Sequence, residues 1–296
     1  MSEFARKAVP MTATSLGLAL PLYAGISGVT MEGSSLELAP GITLEPTLVE
    51  ILQTQTLAFA LPADPSRHHP GPWSSLPGGT GTISCRVSAT VTSLIEPIPT
   101  SSRAVYIVAA LIRLYVDSPV RLALISDYPL EALGALGRSA DVIAVETHRS
   151  QGGAFASETQ KLAMKDVMFI GLMVPSFARL LHVERFHRSF SMFDQAQWCP
   201  SPETAMVLIW SAIENLFNLG SAREKTKSVA RVVSDYLHDD RSNRDRCYAE
   251  VVRLYEERGG VVHAGRISDR NLVGHSFGLA KEIFTAVIAK EAIPAP

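Results

Sequence analysis

Apolar residues recur at helical spacing throughout the last third of the chain. Phe186, Phe190 and Phe193 stand at i, i+4 and i+7, which places them on one stripe of a helix. Four later segments show the same one-sided pattern, with apolar residues Ile209 and Leu216; Val229, Val232, Val233, Tyr236 and Leu237; Cys247, Tyr248, Val251, Val252 and Tyr255; and Phe277, Ala280, Ile283, Phe284, Val287 and Ile288. Five amphipathic helices joined by short connections predict a helical bundle.

Start and stop residues indicate where these helices begin and end. Ser201 is an N-cap residue followed by proline at the first helical position, and Gly220 marks the expected end after Leu219. The segment Ser221–Glu224 has the composition of a capping box and predicts the start of the next helix. The glycine pair at 259 and 260 is expected to interrupt the fourth helix, because glycine is unfavourable inside helices.

The first part of the chain has the pattern of mixed strands and helices. Leu36, Leu38, Ile42 and Leu44 alternate with polar residues around a Pro-Gly turn, which predicts a hairpin. Further predicted elements are strands at 16–24, 83–91, 120–125 and 142–145 and a helix at 101–116. The segment 61–82 is rich in proline, glycine and serine and predicts a long surface loop, whereas everything from about residue 158 onward has a helical pattern.

This order of elements predicts an α+β fold in two parts. We expect a mixed α/β domain at residues 1–180, followed by an all-α bundle at residues 181–296. A chain of 296 residues is long enough for two average domains. We interpret the apolar N-terminal stretch as the first strand of the folded domain and not as a signal peptide.

Composition narrows the class of protein. With 47% hydrophobic and 19% charged residues, the protein is expected to be globular. The formal net charge of −2 excludes a uniformly basic nucleic-acid coat protein, but it is compatible with a local RNA site. The longest apolar segments, 104–116 and 167–181, are shorter than the roughly 20 residues of a membrane span, and each contains an arginine. We therefore expect no membrane association.

The cysteines and the absence of common motifs limit the chemistry further. Cys85, Cys199 and Cys247 are far apart and odd in number, which predicts reduced thiols and a cytoplasmic location. The sequence contains no GxxxxGK[ST] loop, no GxGxxG before a helix and no GxSxG turn. We expect neither a metal ion nor an organic cofactor.

One charged position interrupts the apolar stripe of the fourth helix. Arg258 follows Tyr255 by three residues and Val251 by seven, so helical spacing places its guanidinium on the apolar face. His263 follows five residues later. Histidine can take or give a proton at neutral pH, and arginine can bind a phosphate and neutralise developing charge. The pair suits metal-independent RNA cleavage, for which a two-fold dimer would supply the second acid–base group.

The segment Tyr255–Gly265, with sequence YEERGGVVHAG, resembles the arginine, four-to-six residues, histidine motif of HEPN domains. The helix Val207–Leu219, which carries Glu214, is similar to the second helix of the Apea-like branch, and the resemblance covers roughly residues 182–290. It implies a homodimer with one composite ribonuclease site, in which Arg258 and His263 are catalytic and Glu214 orients the arginine. Active members often have a polar residue directly after the arginine, where this chain has glycine.

The resemblance also indicates a biological setting and further RNA contacts. HEPN domains recur in antiviral and toxin-like proteins, in which the N-terminal domain would sense a trigger or restrain the nuclease. Arg241 and Arg244 lie in a basic stretch near the motif helix, and we assign them, with Tyr255, as substrate-binding residues.

Structural interpretations of the same residues stay open. Arg258 could form an ion pair with Glu214, Glu256 or Glu257, and His263 could cap a carbonyl group. Glu214 could be a solvated side chain, and the arginines near 241 could form a solvated face balanced by neighbouring aspartates. The alternative function is a non-catalytic bundle that dimerises and binds RNA, a nucleotide or a protein. A small-molecule enzyme centred on the N-terminal domain has no motif to support it.

Overall fold

An antiparallel sheet and a helical bundle make up the protein, which confirms the α+β class. The computed structural model describes residues 21–58, 73–91, 98, 100–136, 140–146, 159–219, 224–264, 267, 269 and 271–294. The strands of this described chain are β1 (Leu22–Ser27), β2 (Val29–Met31), β3 (Leu36–Ala39), β4 (Ile42–Ala58), β5 (Trp73–Ala89), β6 (Arg121–Ser126), β7 (Val142–Ala144) and β8 (Gln160–Leu162). Its α-helices are α1 (Ser101–Tyr115), α2 (Leu133–Leu136), α3 (Met164–Leu180), α4 (Glu184–Ala196), α5 (Pro202–Leu216), α6 (Lys225–Leu237), α7 (Arg241–Ala264) and α8 (Asn271–Lys290).

Six strands form one sheet in the order β3-β4-β5-β1-β6-β7, and every neighbouring pair is antiparallel. The predicted hairpin is confirmed, since Leu36 pairs with Leu44 across the turn. Gly41 occupies that turn with φ +74°, and a β-carbon there would lie 2.5 Å from the carbonyl oxygen of Thr90. Strands β2 and β8 pair in parallel as a separate ribbon.

Helix α1 lies between the sheet and the bundle. It contacts β1, β5 and β6 on one side and α3 and α8 on the other, so its residues from Ala104 to Leu114 are almost all buried. The Thr100 hydroxyl caps its N-terminus by accepting a hydrogen bond from the Arg103 N–H at 3.1 Å. At the other end, Lys281 of α8 is buried and donates to the Val116 carbonyl and, at 2.7 Å, to Asp117 Oδ1. Burial lowers the pKa of this lysine, although Asp117 opposes the effect.

The five predicted helices of the C-terminal part are confirmed as α4 to α8. Phe186, Phe190 and Phe193 are buried and form ring contacts with Phe284 of α8. Phe177 of α3 also packs edge-on against Phe190, with ring centroids 4.7 Å apart. Apolar packing is therefore continuous across residue 180, and the division into two domains there stays a prediction.

Several predicted boundaries are wrong for local reasons. Strand β5 already begins at Trp73, inside the predicted loop 61–82, because pairing with β4 provides backbone hydrogen bonds despite the glycine and proline content.

Two helix boundaries also differ from the prediction. Helix α5 ends at Leu216 because Asn218 adopts φ +53°, and α6 begins at Lys225 after Glu224 at φ +59°. A short strand, β8, precedes the continuous helical part. Residues 16–20, 61–72 and 221–223 of other predicted elements lie outside the described residues.

Within the described chain, α8 alone is long and apolar enough to cross a membrane by length and composition. In the protein, 61% of its apolar window is buried. This burial is the pattern of a helix in the core of the bundle.

Candidate active site

Helix α7 runs without interruption from Arg241 to Ala264, so the predicted break at Gly259 and Gly260 is wrong. A β-carbon built at either glycine would meet nothing within 4 Å in the described chain. Two glycines weaken a helix by about 1 kcal/mol each, which packing of the remaining helix can offset. Arg258 and His263 are therefore about 7.5 Å apart along one helix axis and about 140° apart around it.

Glu214 of α5 is the centre of the contacts around Arg258. Its Oε1 atom lies 3.2 Å from Nη2 of Arg258 and accepts a hydrogen bond from the Tyr255 hydroxyl at 2.8 Å. Its Oε2 atom accepts a hydrogen bond from Nζ of Lys225. Only 13% of the Glu214 side chain is exposed, so it is not a solvated glutamate. The contact that an orienting role would need is present.

Tyr255 supports Arg258 from the core side. The guanidinium carbon lies 5.4 Å from the Tyr255 ring centroid, within cation–π range. The same ring meets Trp210 edge-on at 5.1 Å, and the indole N–H donates to Ser276 Oγ at 3.2 Å. Burial raises the pKa of Tyr255 to about 12, and the hydrogen bond to Glu214 adds to the rise. The phenol therefore remains a hydrogen-bond donor at neutral pH.

Two cations share one carboxylate at this site. Arg258 and Lys225 carry two positive charges against the single negative charge of Glu214, and their side chains are 22% and 34% exposed. The Nε–H of Arg258 is buried and has no acceptor among the described residues. A partly exposed cluster with an excess of positive charge is suited to bind an anion such as phosphate through the exposed part of the guanidinium.

The remaining predicted site residues lie elsewhere on α7. His263 belongs to the last turn of the helix, and its side chain lies outside the described part of the chain. Arg241 and Arg244 are in the first turn, about 26 and 21 Å from Arg258 along the axis. The structure thus brings together Glu214, Tyr255 and Arg258, and it does not bring the two N-terminal arginines to them.

Lys225 is the contact that the sequence reasoning missed. A signal for it was present, since only a short connection separates the end of α5, which carries Glu214, from the start of α6 at Lys225. A short connection keeps the two helix ends close together.

The described residues include no group of three or more His, Cys, Asp or Glu residues placed to hold a metal ion. The three cysteines are free thiols. Burial raises the pKa of Cys85 to about 12 and that of Cys247 to about 11, so neither is an activated nucleophile at neutral pH.

Comparison of the chain with protein-family models, with characterised proteins and with solved structures gives no match. The resemblance of roughly residues 182–290 to HEPN domains stays a prediction, which rests on the motif in α7 and on Glu214 in α5.

Proposed function

We propose that the chain is a metal-independent endoribonuclease of the HEPN type, with an active site completed by a second copy. The observation that supports this most directly is the 3.2 Å contact between Arg258 and Glu214. A guanidinium held by a carboxylate has a fixed direction, and Lys225 keeps the site net positive despite that carboxylate. Fixed positive charge is what a phosphodiester needs as negative charge develops during cleavage.

In the proposed reaction, the ribose 2′-hydroxyl attacks the adjacent phosphorus and the bond to the 5′-oxygen breaks. His263 takes the proton of the 2′-hydroxyl, and the partner's His263 gives a proton to the leaving oxygen. Arg258 binds the non-bridging phosphate oxygens, while Glu214 and Tyr255 position the arginine. The products are a 2′,3′-cyclic phosphate and a 5′-hydroxyl.

The placement of the two motif residues on α7 supports a composite site. About 140° around the helix axis separates the backbone positions of the two residues in α7. A two-fold dimer could bring Arg258 and His263 from both copies to one phosphate, as an isologous interface duplicates each contact.

The sheet-containing part would restrain or trigger the nuclease in an antiviral or toxin-like setting in the cytoplasm. Support for such coupling comes from the contacts of Lys281 in the bundle with Val116 and Asp117 after α1. Free thiols are consistent with a reducing compartment.

The test is cleavage of a mixed RNA pool in excess EDTA by wild-type protein, His263→Ala and Arg258→Met. We expect wild-type cleavage with cyclic-phosphate ends, and a loss of about 10²- to 10⁴-fold in the histidine variant. The matched control is His275→Ala, which replaces an exposed histidine of α8 and should cleave normally. Equal cleavage by wild type and His263→Ala would assign the activity to another site or a contaminant.

The contacts of Arg258 also favour a second candidate, a non-catalytic RNA-binding bundle. Its ion pair and its packing on Tyr255 give the arginine a structural role, and Gly259 replaces the polar residue of active HEPN members. This candidate predicts RNA binding without cleavage by the dimeric wild type. Binding would then survive His263→Ala and weaken in Arg258→Met.

A further inference from the structure

A concavity of about 260 Å³ lies between the C-terminal half of α6 and the first two turns of α7. We call it the arginine concavity, and it is lined by Arg231, Ser234, Asp235, Arg241, Arg244, Asp245 and Tyr248. Three guanidinium groups against two carboxylates leave it with one net positive charge. Its lining therefore favours an anionic ligand.

The arginines of this concavity are only loosely engaged. Arg241 is 89% exposed and lies 3.8 Å from Asp245, and Arg244 lies 3.8 Å from Asp235. Both distances exceed the roughly 3.2 Å reach of a hydrogen bond, so these pairs leave guanidinium donors for another acceptor. No acidic residue of the described chain forms an ion pair with Arg231.

The backbone at the start of α7 is already capped, so the side chains would make the contacts to an anion. Asp240 accepts a hydrogen bond from the Asn243 N–H at 2.8 Å, which satisfies part of the first turn. Tyr248 is half-buried at the concavity and offers an aromatic ring on which a nucleic-acid base can stack.

The concavity and the candidate active site lie at opposite ends of the pair formed by α6 and α7, since Arg244 is near the start of α7 and Arg258 is near its end. Val251 and Tyr255 between them are buried, so a strand that reaches both sites crosses the outer surface of this helix pair. Arg244 and Arg258 are about 21 Å apart along the axis of α7. That distance corresponds to about six nucleotides of a stacked strand, at about 3.4 Å per nucleotide, and to fewer of an extended one.

We propose that the arginine concavity binds a backbone phosphate of single-stranded RNA, a few nucleotides away from the phosphate at Arg258. The choice of RNA as the ligand rests on the proposed function. The site extends the substrate contact along α7 and would make recognition depend on RNA length. It is a binding site with no part in the bond-breaking step.

The test is fluorescence anisotropy with a 2′-O-methylated RNA of about 12 nucleotides, which spans the distance and cannot be cleaved through its 2′-oxygens. One variant carries Arg231→Gln, Arg241→Gln and Arg244→Gln. The matched control carries Arg188→Gln, Arg246→Gln and Arg253→Gln, three exposed arginines outside the concavity with the same total charge. Circular dichroism checks that both variants fold.

Affinity is measured at several KCl concentrations, because each phosphate contact contributes about 0.7 to the slope of log affinity against log salt. We expect the concavity variant to reduce the slope by about 0.7, the contribution of one phosphate contact, and the control to leave it nearly unchanged. An equal reduction in both variants would assign the effect to net charge and overturn the proposal, as would an unchanged slope in the concavity variant.

Cleavage of unmodified RNA in EDTA by the same preparations tests the proposed nuclease activity independently of the proposed phosphate site. Wild-type binding without cleavage, with the slope reduced only in the concavity variant, would overturn the nuclease and support the concavity. Wild-type cleavage with an unchanged slope in that variant would overturn the concavity alone. No binding by the wild type at low salt would overturn the concavity as an RNA site.

Discussion

Arg113 of α1 and Asp194 of α4 form a buried ion pair between the helix that covers the sheet and the helical bundle. The Nε and Oδ1 atoms are 3.0 Å apart, and only 3% of the arginine side chain is exposed. Glu146, which follows β7, accepts a second contact from Arg113 at 2.7 Å. Burial raises the pKa of Asp194, although Arg113 opposes the effect. The guanidinium of Arg113 thus compensates the negative charge of two carboxylates, Glu146 and Asp194, from distant parts of the chain.

Replacing Arg113 with methionine should lower the free energy of unfolding by about 3–5 kcal/mol, because both carboxylates lose their buried partner. Urea denaturation measures the change. Arg113→Met combined with Asp194→Leu should recover part of the loss. The control is Arg179→Met, which removes an exposed pair with Glu291 and should leave the midpoint nearly unchanged. An Arg113→Met midpoint no lower than that of the control would show that the buried pair is dispensable.

Glu214→Gln should lower the pKa of Tyr255 from its value of about 12, since a neutral amide removes the negative charge beside the phenol. Burial would still keep the pKa above its ordinary value. Nuclear magnetic resonance of isotope-labelled tyrosine against pH measures the shift. Tyr236 is the internal control, because burial alone raises its pKa to about 12. A Tyr255 titration that is unchanged in Glu214→Gln would contradict the hydrogen bond.

Gly260→Ala should raise the free energy of unfolding by about 0.5–1 kcal/mol, because alanine costs less conformational entropy inside a helix. There is open space for the added methyl group in the described structure. Gly41→Ala is a control with the opposite expected sign. It should lower the free energy of unfolding, since its φ of +74° and the nearby Thr90 carbonyl disfavour a side chain. Destabilisation by Gly260→Ala would argue that the helix is broken there after all.

The buried Cys85 thiol should make the protein less stable as pH rises above about 9. In the unfolded chain the thiol ionises near its ordinary pKa of 9.0, whereas in the folded protein its pKa is about 12. Between these values the folded state holds the proton more tightly, so unfolding becomes easier by up to about 1.4 kcal/mol per pH unit. Cys85→Ala should have a shallower decline in urea titrations between about pH 8.5 and 10. If stability falls equally steeply with pH in the wild type and in Cys85→Ala, the Cys85 thiol is not the cause of the loss.

Much of the bundle could be predicted because each helix buries one side, as the stripe of Phe186, Phe190 and Phe193 shows. The low helix propensity of glycine gave a wrong prediction at Gly259 and Gly260, because the rest of α7 packs well enough to continue the helix. The contact of Arg258 with a glutamate was among the sequence hypotheses. The Arg113 network was not, because its carboxylates are 33 and 81 residues away in sequence and no periodic pattern connects them.

The contact of Lys281 with the end of α1 has a consequence for how the chain folds during synthesis. The Val116 carbonyl and Asp117 meet their buried cation only when a residue 165 positions after Val116 has left the ribosome. Helix α1 also packs on α8, so part of its apolar surface stays uncovered until that moment. The N-terminal part can therefore begin to fold early, but it completes its packing only after α8 has been synthesised.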